Sequence, residues 1–158
     1  MSGPTLRKRL EPALRRLFHL YWRVARGMTL GVRGVVLDQD NKVFLIKHSY
    51  VSGWHLPGGG VERGEAPTAA ILRELTEEIG LVRSDAPLLR DVFSRRLGIV
   101  TNVVALYRVS NVELDFKPNY EIREICHADP ANPPPDTVAG TRRRLAEFAG
   151  QAMPDGRW

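Results

Sequence analysis

A run of glycines feeding a short acidic helix constrains this chain more than any other stretch. From Gly59 to Leu81 the sequence reads GGVERGEAPTAAILRELTEEIGL. Pro67 stands where a first helical residue would be, Ile71, Leu75 and Ile79 recur at helical spacing, and Gly80 supplies a stop. On that helix Glu74, Glu77 and Glu78 fall within an arc of roughly 100°, about one face. Ile71, Leu72, Leu75 and Ile79 occupy the neighbouring arc and point to a core, and the small Ala70 lies beneath the carboxylates. Three carboxylates this close repel one another unless a proton or a cation sits among them. Oxygen donors with no thiolate select a hard divalent ion, which commonly takes phosphate oxygens as further ligands. The glycines ahead of the helix let the backbone approach such a ligand closely. An acidic, solvated helix face is the ordinary explanation of a glutamate cluster, and the helix alone does not decide between the two.

The spacing decides. Gly59, five residues, Glu65, seven residues, Arg73-Glu74-Leu75, one residue, Glu77-Glu78, one residue, Gly80-Leu81 agrees with the Nudix box at every specified position. Seven of those positions demand a single residue type, so chance agreement is on the order of one in 10⁸ per start point. The preceding Trp54-His55-Leu56-Pro57-Gly58 is similar to the usual lead-in. The chain therefore resembles the Nudix hydrolase family, although the box covers only 23 of its 158 residues. Glu121-Ile122-Arg123-Glu124, a proline-rich loop and a Thr-Arg-rich helix add a weaker likeness to the later part of many members.

That resemblance implies an α+β fold, the Nudix-type α/β/α sandwich around a mixed β-sheet, here with an extra N-terminal amphipathic helix. It implies Mg²⁺-dependent hydrolysis, with Mn²⁺ as a substitute, of a small-molecule nucleoside diphosphate derivative through attack of an activated water on phosphorus. Carried over by position, Glu74, Glu77 and Glu78 hold the cations, with the Gly59 carbonyl as a backbone ligand. Arg73 orients the carboxylates by charge-assisted hydrogen bonds, and Glu65 positions Arg73 or a water. Which glutamate is the general base stays open. A further acidic ligand, of the kind members supply from a later segment, falls to Glu121 or Glu124. Two readings of other kinds stand beside this one. The first is a Nudix-fold nucleotide-binding or regulatory module without catalysis, which an intact box disfavours. The second is an RNA 5′-end pyrophosphohydrolase using the N-terminal helix as an RNA-binding arm, whose mark is a steep loss of binding with salt.

Charge bears on the partners. The chain carries a net +5, but residues 1–28 hold seven basic side chains against Glu11, leaving the rest one negative charge. The basicity is an N-terminal feature, which argues against a nucleic-acid groove running over the domain. Residues 5–26 keep an i, i+3, i+4 apolar rhythm from Leu6 to Val24, with Pro12 marking a break and the arginines largely opposite. This helix is read as packing on the domain or at a homodimer contact; an anionic membrane surface is the competing partner. The division expected is residues 1–28 as this helix, 29–150 as the hydrolase domain and 151–158 as a frayed tail. One cysteine, Cys126, excludes an internal disulfide, and no signal peptide is read, so the cytoplasm is the expected compartment.

Along the domain, Thr29–Asp38 and Lys42–His48 read as two strands of a β-hairpin turning at residues 38–41. Arg33, Lys47, His48 and Tyr50 lie on or beside that sheet as candidate substrate contacts. Leu88–Arg96 and Ile99–Val109 follow as strands joined around Gly98, then a short strand at Ile122–Ala128, a proline-rich connector, and a closing helix over residues 137–150 with Leu145 and Phe148 inward. Strands and helices mix without strict alternation, in keeping with a sandwich.

Overall fold

Two unbroken apolar runs, Val35-Val36-Leu37 and Val43-Phe44-Leu45-Ile46, are buried along their whole length, as strands covered on both faces must be. They lie at the end of β1 (Met28–Val36) and in β2 (Val43–His48) of a computed structural model that describes residues 27–158, with Leu37 following β1 directly. The remaining elements are α1 (Pro67–Ile79), β3 (Leu81–Arg83), β4 (Leu88–Leu97), β5 (Val100–Val109), β6 (Glu113–Leu114), β7 (Ile122–Ala128) and α2 (Ala139–Phe148). The amphipathic helix expected over residues 5–26, and any dimer contact it makes, lie outside the described residues. No helix among the described residues is long and apolar enough to cross a membrane.

The main sheet runs β1-β5-β4, with β1 parallel to β5 and β4 antiparallel to it. β2 pairs antiparallel with β7, and β3 with β6. Period-two alternation sends Val32 and Val36 of β1, Phe44 and Ile46 of β2, and Ala105 and Tyr107 of β5 into one core with Ile71, Leu75 and Ile79 of α1. Val35, Leu37, Val43, Leu45, Phe93 and Leu106 face the other way, into a second core closed by Leu145 of α2. One helix thus covers each face of a mixed strand layer, which is the α/β/α sandwich.

The hairpin expected of β1 and β2 forms only at its root. Asp38 Oδ1 accepts the N–H groups of Asp40 (2.9 Å) and Lys42 (2.8 Å), and Asp38 N–H reaches the Lys42 carbonyl at 3.0 Å. Beyond the single Leu37–Val43 bridge the strands part, β1 to β5 and β2 to β7. A wide Asp-organised turn lacks the twist match of a two-residue primed turn, and each strand gains a long partner elsewhere. The segment 151–158, expected to fray, is tied down at its end. Ser94 N–H donates to the Gly156 carbonyl (3.0 Å) and Trp158 N–H to the Ser94 carbonyl (3.1 Å), adding a short parallel rung to β4. The guanidinium of Arg144, wholly buried in α2, donates to the Arg157 carbonyl at 2.7 Å. No local sequence pattern announces that anchor.

Candidate active site

The glycine loop is laid against the free edge of β1. Gly34 N–H donates to the Pro57 carbonyl, Val32 N–H to the Gly59 carbonyl and Val61 N–H to the Leu30 carbonyl, each at 2.9 Å. This near-approach needs Gly58. Its φ of 131° disfavours a side chain, and a Cβ there would meet the Val32 carbonyl oxygen at 2.3 Å. At Gly59 a Cβ would meet the Glu74 carboxylate at 2.5 Å, so the loop and the first carboxylate of α1 interlock.

α1 is set as the sequence predicts. Pro67 opens it, and Gly80 closes it in the left-handed conformation with its N–H on the Thr76 carbonyl at 3.2 Å. Glu78 is buried, and its Oε2 accepts the Gly58 N–H at 2.6 Å. Burial pushes the Glu78 carboxyl from 4.5 up to about 7, against the Gly58 bond and Arg33, with Glu74 and Glu121 adding to the rise. Arg73 spends all its N–H groups on the loop and the cluster. They reach both oxygens of Glu65 (2.9 and 3.1 Å), the Gly60 carbonyl (3.0 Å), Glu74 (2.8 Å) and Glu77 (3.3 Å). The bond from Arg73 holds Glu65 below the usual carboxylate range, and the same bonds raise the pKa of Arg73. Glu77 is exposed, leans on Arg73 and does not line the cleft into which Glu74 and Glu78 open.

That cleft encloses about 750 Å³ between α1, the sheet and the start of α2. Glu121 lines it, carried on a loop that Asn119 pins: Asn119 Nδ2 donates to the Glu77 carbonyl (3.2 Å) and Asn119 Oδ1 accepts the Glu121 N–H (2.9 Å). Glu124 lies on β7 opposite Lys47 and is outside the cleft. Of the four candidate substrate contacts, Arg33, His48 and Tyr50 line the cleft. Lys47 does not: it pairs with Asp136 at 3.3 Å and stands over the Trp54 ring. Arg33 donates to the carbonyls of Leu56 (3.1 Å) and Gly58, and burial lowers its pKa. His48 is pushed down to about 4 by burial, then by His55 and Arg33, and its buried Nδ1 has no partner. His55, Arg95, Thr141, Arg143 and Trp158 also line the cleft, and the sequence reading did not single them out. Arg95 was within reach of it: it shares a β4 face with the core residue Phe93, two positions away.

The donor set fits a hard divalent cation. The Glu74, Glu78 and Glu121 carboxylates all line the cleft, and a buried ionised Glu78 lacks the solvation such a cation would replace. Among the described residues no group of three His, Cys, Asp or Glu side chains is already gathered into a cage. The arrangement suits an ion held by one or two carboxylates and completed by waters and ligand oxygens.

Comparison with known proteins bears on the family and the fold. An RNA pyrophosphohydrolase of Hydrogenovibrio crunogenus is 38% identical over 65 residues, 41% of this chain and 39% of that protein. One of Rickettsia bellii is 44% identical over 52 residues, 32% of each chain. The chain thus spans under two fifths of the length of these relatives. The structure of a MutT NUDIX hydrolase from Burkholderia pseudomallei superposes with a TM-score of 0.66 at 22% identity, covering 76% of this chain and 97% of that one. The MutT protein of Methanosarcina mazei Go1 gives 0.67 at 19%, covering 82% and 98%. These two likenesses establish the fold. Residues 27–148 match the NUDIX domain, and the chain belongs to the Nudix hydrolase family.

Proposed function

We propose that this chain hydrolyses a phosphoanhydride bond of a nucleoside diphosphate linked to another moiety, with Mg²⁺ as the cation and Mn²⁺ as its substitute. Members of the family generally use divalent metal ions. One observation carries the reading: Glu74, Glu78 and Glu121 share a single cleft with Arg33, Arg95 and Arg143, carboxylates for a cation beside guanidinium groups for phosphates. The bound cation supplies Lewis-acid charge and makes water a better nucleophile. Glu78 and Glu74 would hold it, with Glu121 lining the same cleft. Arg73 keeps Glu74 in place and ties it to the loop through Gly60. Arg33 faces the scissile phosphates and offsets their charge. Water oxygen bonds to phosphorus, the bridging P–O bond breaks, and the leaving phosphate takes the electron pair. The water proton passes to a carboxylate of the cluster or to solvent.

A second reading is favoured by the relatives named RNA pyrophosphohydrolase: the same chemistry applied to the 5′ end of an RNA. The test is turnover on a panel of nucleoside triphosphates, nucleotide sugars, dinucleotides, coenzyme A and a 5′-triphosphorylated RNA, with Mg²⁺, Mn²⁺ or EDTA. Hydrolysis is expected only with a cation, and Glu78→Gln is expected to lose several orders of magnitude. Full activity in EDTA, or near wild-type turnover in the variant, sinks the mechanism.

A further inference from the structure

The cleft also carries aromatic and cationic groups from elements other than the helix that bears Glu74 and Glu78. Its wall includes Trp158, with Arg95 and Arg143 lining the same space. Neither arginine has a carboxylate within ion-pair distance among the described residues, and both line the cleft. Trp158 is held by several independent contacts. Its N–H is on Ser94, and the preceding Arg157 carbonyl takes a bond from Arg144. Its ring lies edge-on to Phe93 at 6.0 Å, and the Arg144 guanidinium sits 5.7 Å from its centroid. At Gly140 a Cβ would come within 2.9 Å of the indole Nε1, so a glycine in the first turn of α2 lets the ring lie close. Arg144 is wholly buried and its Nε has no partner, a costly arrangement that serves to fix residues 155–158 against the sheet. An indole fixed this firmly in the lining of a cleft that also holds two arginines without a carboxylate partner matches a flat aromatic group joined to phosphates.

We infer that Trp158 is the stacking surface for the nucleobase of the substrate, with Arg95 and Arg143 receiving the phosphates between that base and the carboxylate end. This rests on the hydrolase reading and deepens it, naming the end of the site that recognises the nucleoside. Tyr50, which also lines the cleft, is 70% exposed and has its ring 5.2 Å from that of His48. It is the weaker platform.

Stacking on an aromatic ring tolerates any base, so fixed probes suffice. The experiment titrates wild type, Trp158→Ala, Trp158→Phe, Tyr50→Ala and Met153→Ala with adenosine 5′-(α,β-methylene)diphosphate and with methylenediphosphonate, the same anion without a nucleoside, in Mg²⁺. Neither probe has a hydrolysable anhydride, and thermal melts check the fold of each variant. Wild type is expected to prefer the nucleotide by about tenfold or more. Trp158→Ala is expected to cut that preference about tenfold, Trp158→Phe to keep most of it, and Met153→Ala, an exposed neighbour in the same segment, to keep all of it. An unchanged preference in Trp158→Ala, its loss in Tyr50→Ala alone, or no preference in wild type overturns the inference. Should wild type bind with this pattern yet hydrolyse nothing in the panel, the hydrolase reading fails and the base site stands.

Discussion

Glu78 and Gly58, twenty positions apart, are joined by a 2.6 Å bond from the glycine N–H to the buried carboxylate. The bond sets the loop, β1 and α1 at one depth, and it places an ionisable group where water is scarce. A folded value near 7, against 4.5 in the open chain, means the fold favours the protonated form. The stabilising contribution is therefore complete below about pH 4.5 and is lost as pH rises through about 7. In EDTA, Glu78→Gln mimics the protonated state and removes that loss. The expectation is that wild type falls behind the variant by up to about 3 kcal/mol between pH 5 and 8. Urea melts of both proteins across that range check it; parallel curves remove the claim.

The three loop glycines separate folding from function. Gly58→Ala places a Cβ on the Val32 carbonyl at a forbidden φ, and is expected to cost more than about 3 kcal/mol. Gly59→Ala meets only the flexible end of Glu74, so folding should survive while that carboxylate is displaced. Its signature is a raised Mg²⁺ midpoint at near wild-type melting temperature. Gly60→Ala meets nothing, and should stay within about 0.5 kcal/mol with normal turnover. Equal effects at Gly59 and Gly60 would contradict the interlock with Glu74.

How much of this was legible from residues alone follows from the range of each signal. Pro67, the Ile71-Leu75-Ile79 rhythm and Gly80 act within a few residues of one another, and the helix they mark is the helix found. The strand at Ile122–Ala128 is likewise local and was read to the residue. Pairing is not local. Nothing within β1 says that its partner is β5, more than sixty residues on, rather than the adjacent β2. β3 and β6, at three and two residues, are too short to show a period. Glu74, Glu78 and Arg73 could be placed together because one helix carries them. Arg95, Arg143 and Trp158 reach the same cleft from β4, α2 and the tail, and only tertiary packing brings them there.

Gly80 is constrained twice. Its φ is 67°, and a Cβ would lie 2.2 Å from the Asp115 carbonyl oxygen, which belongs to the segment leading to Asn119 and Glu121. Gly80→Ala should cost at least about 2 kcal/mol, roughly 5 °C or more in melting temperature. Because Asp115 N–H also donates to the Gly80 carbonyl at 2.8 Å, the strain reaches the loop that carries Glu121. A melting temperature within a degree of wild type would contradict the contact.

Arg73 supports the last expectation. Its five N–H groups reach Glu65, Glu74, Glu77 and the Gly60 carbonyl, so one planar group joins the loop to the cluster. Lysine keeps the charge but offers three donors from one point and cannot span these partners. If Arg73 acted through charge alone, Arg73→Lys would behave as wild type. If it acts by holding Glu74 in register with Gly59, Arg73→Lys should lose about 10- to 100-fold in Mg²⁺ affinity or turnover, nearly as much as Arg73→Ala. The side chain is partly exposed, so stability should change little in either variant. The decisive measurement is the Mg²⁺ dependence of turnover for all three proteins: a Lys variant indistinguishable from wild type would leave Arg73 as no more than a counter-charge.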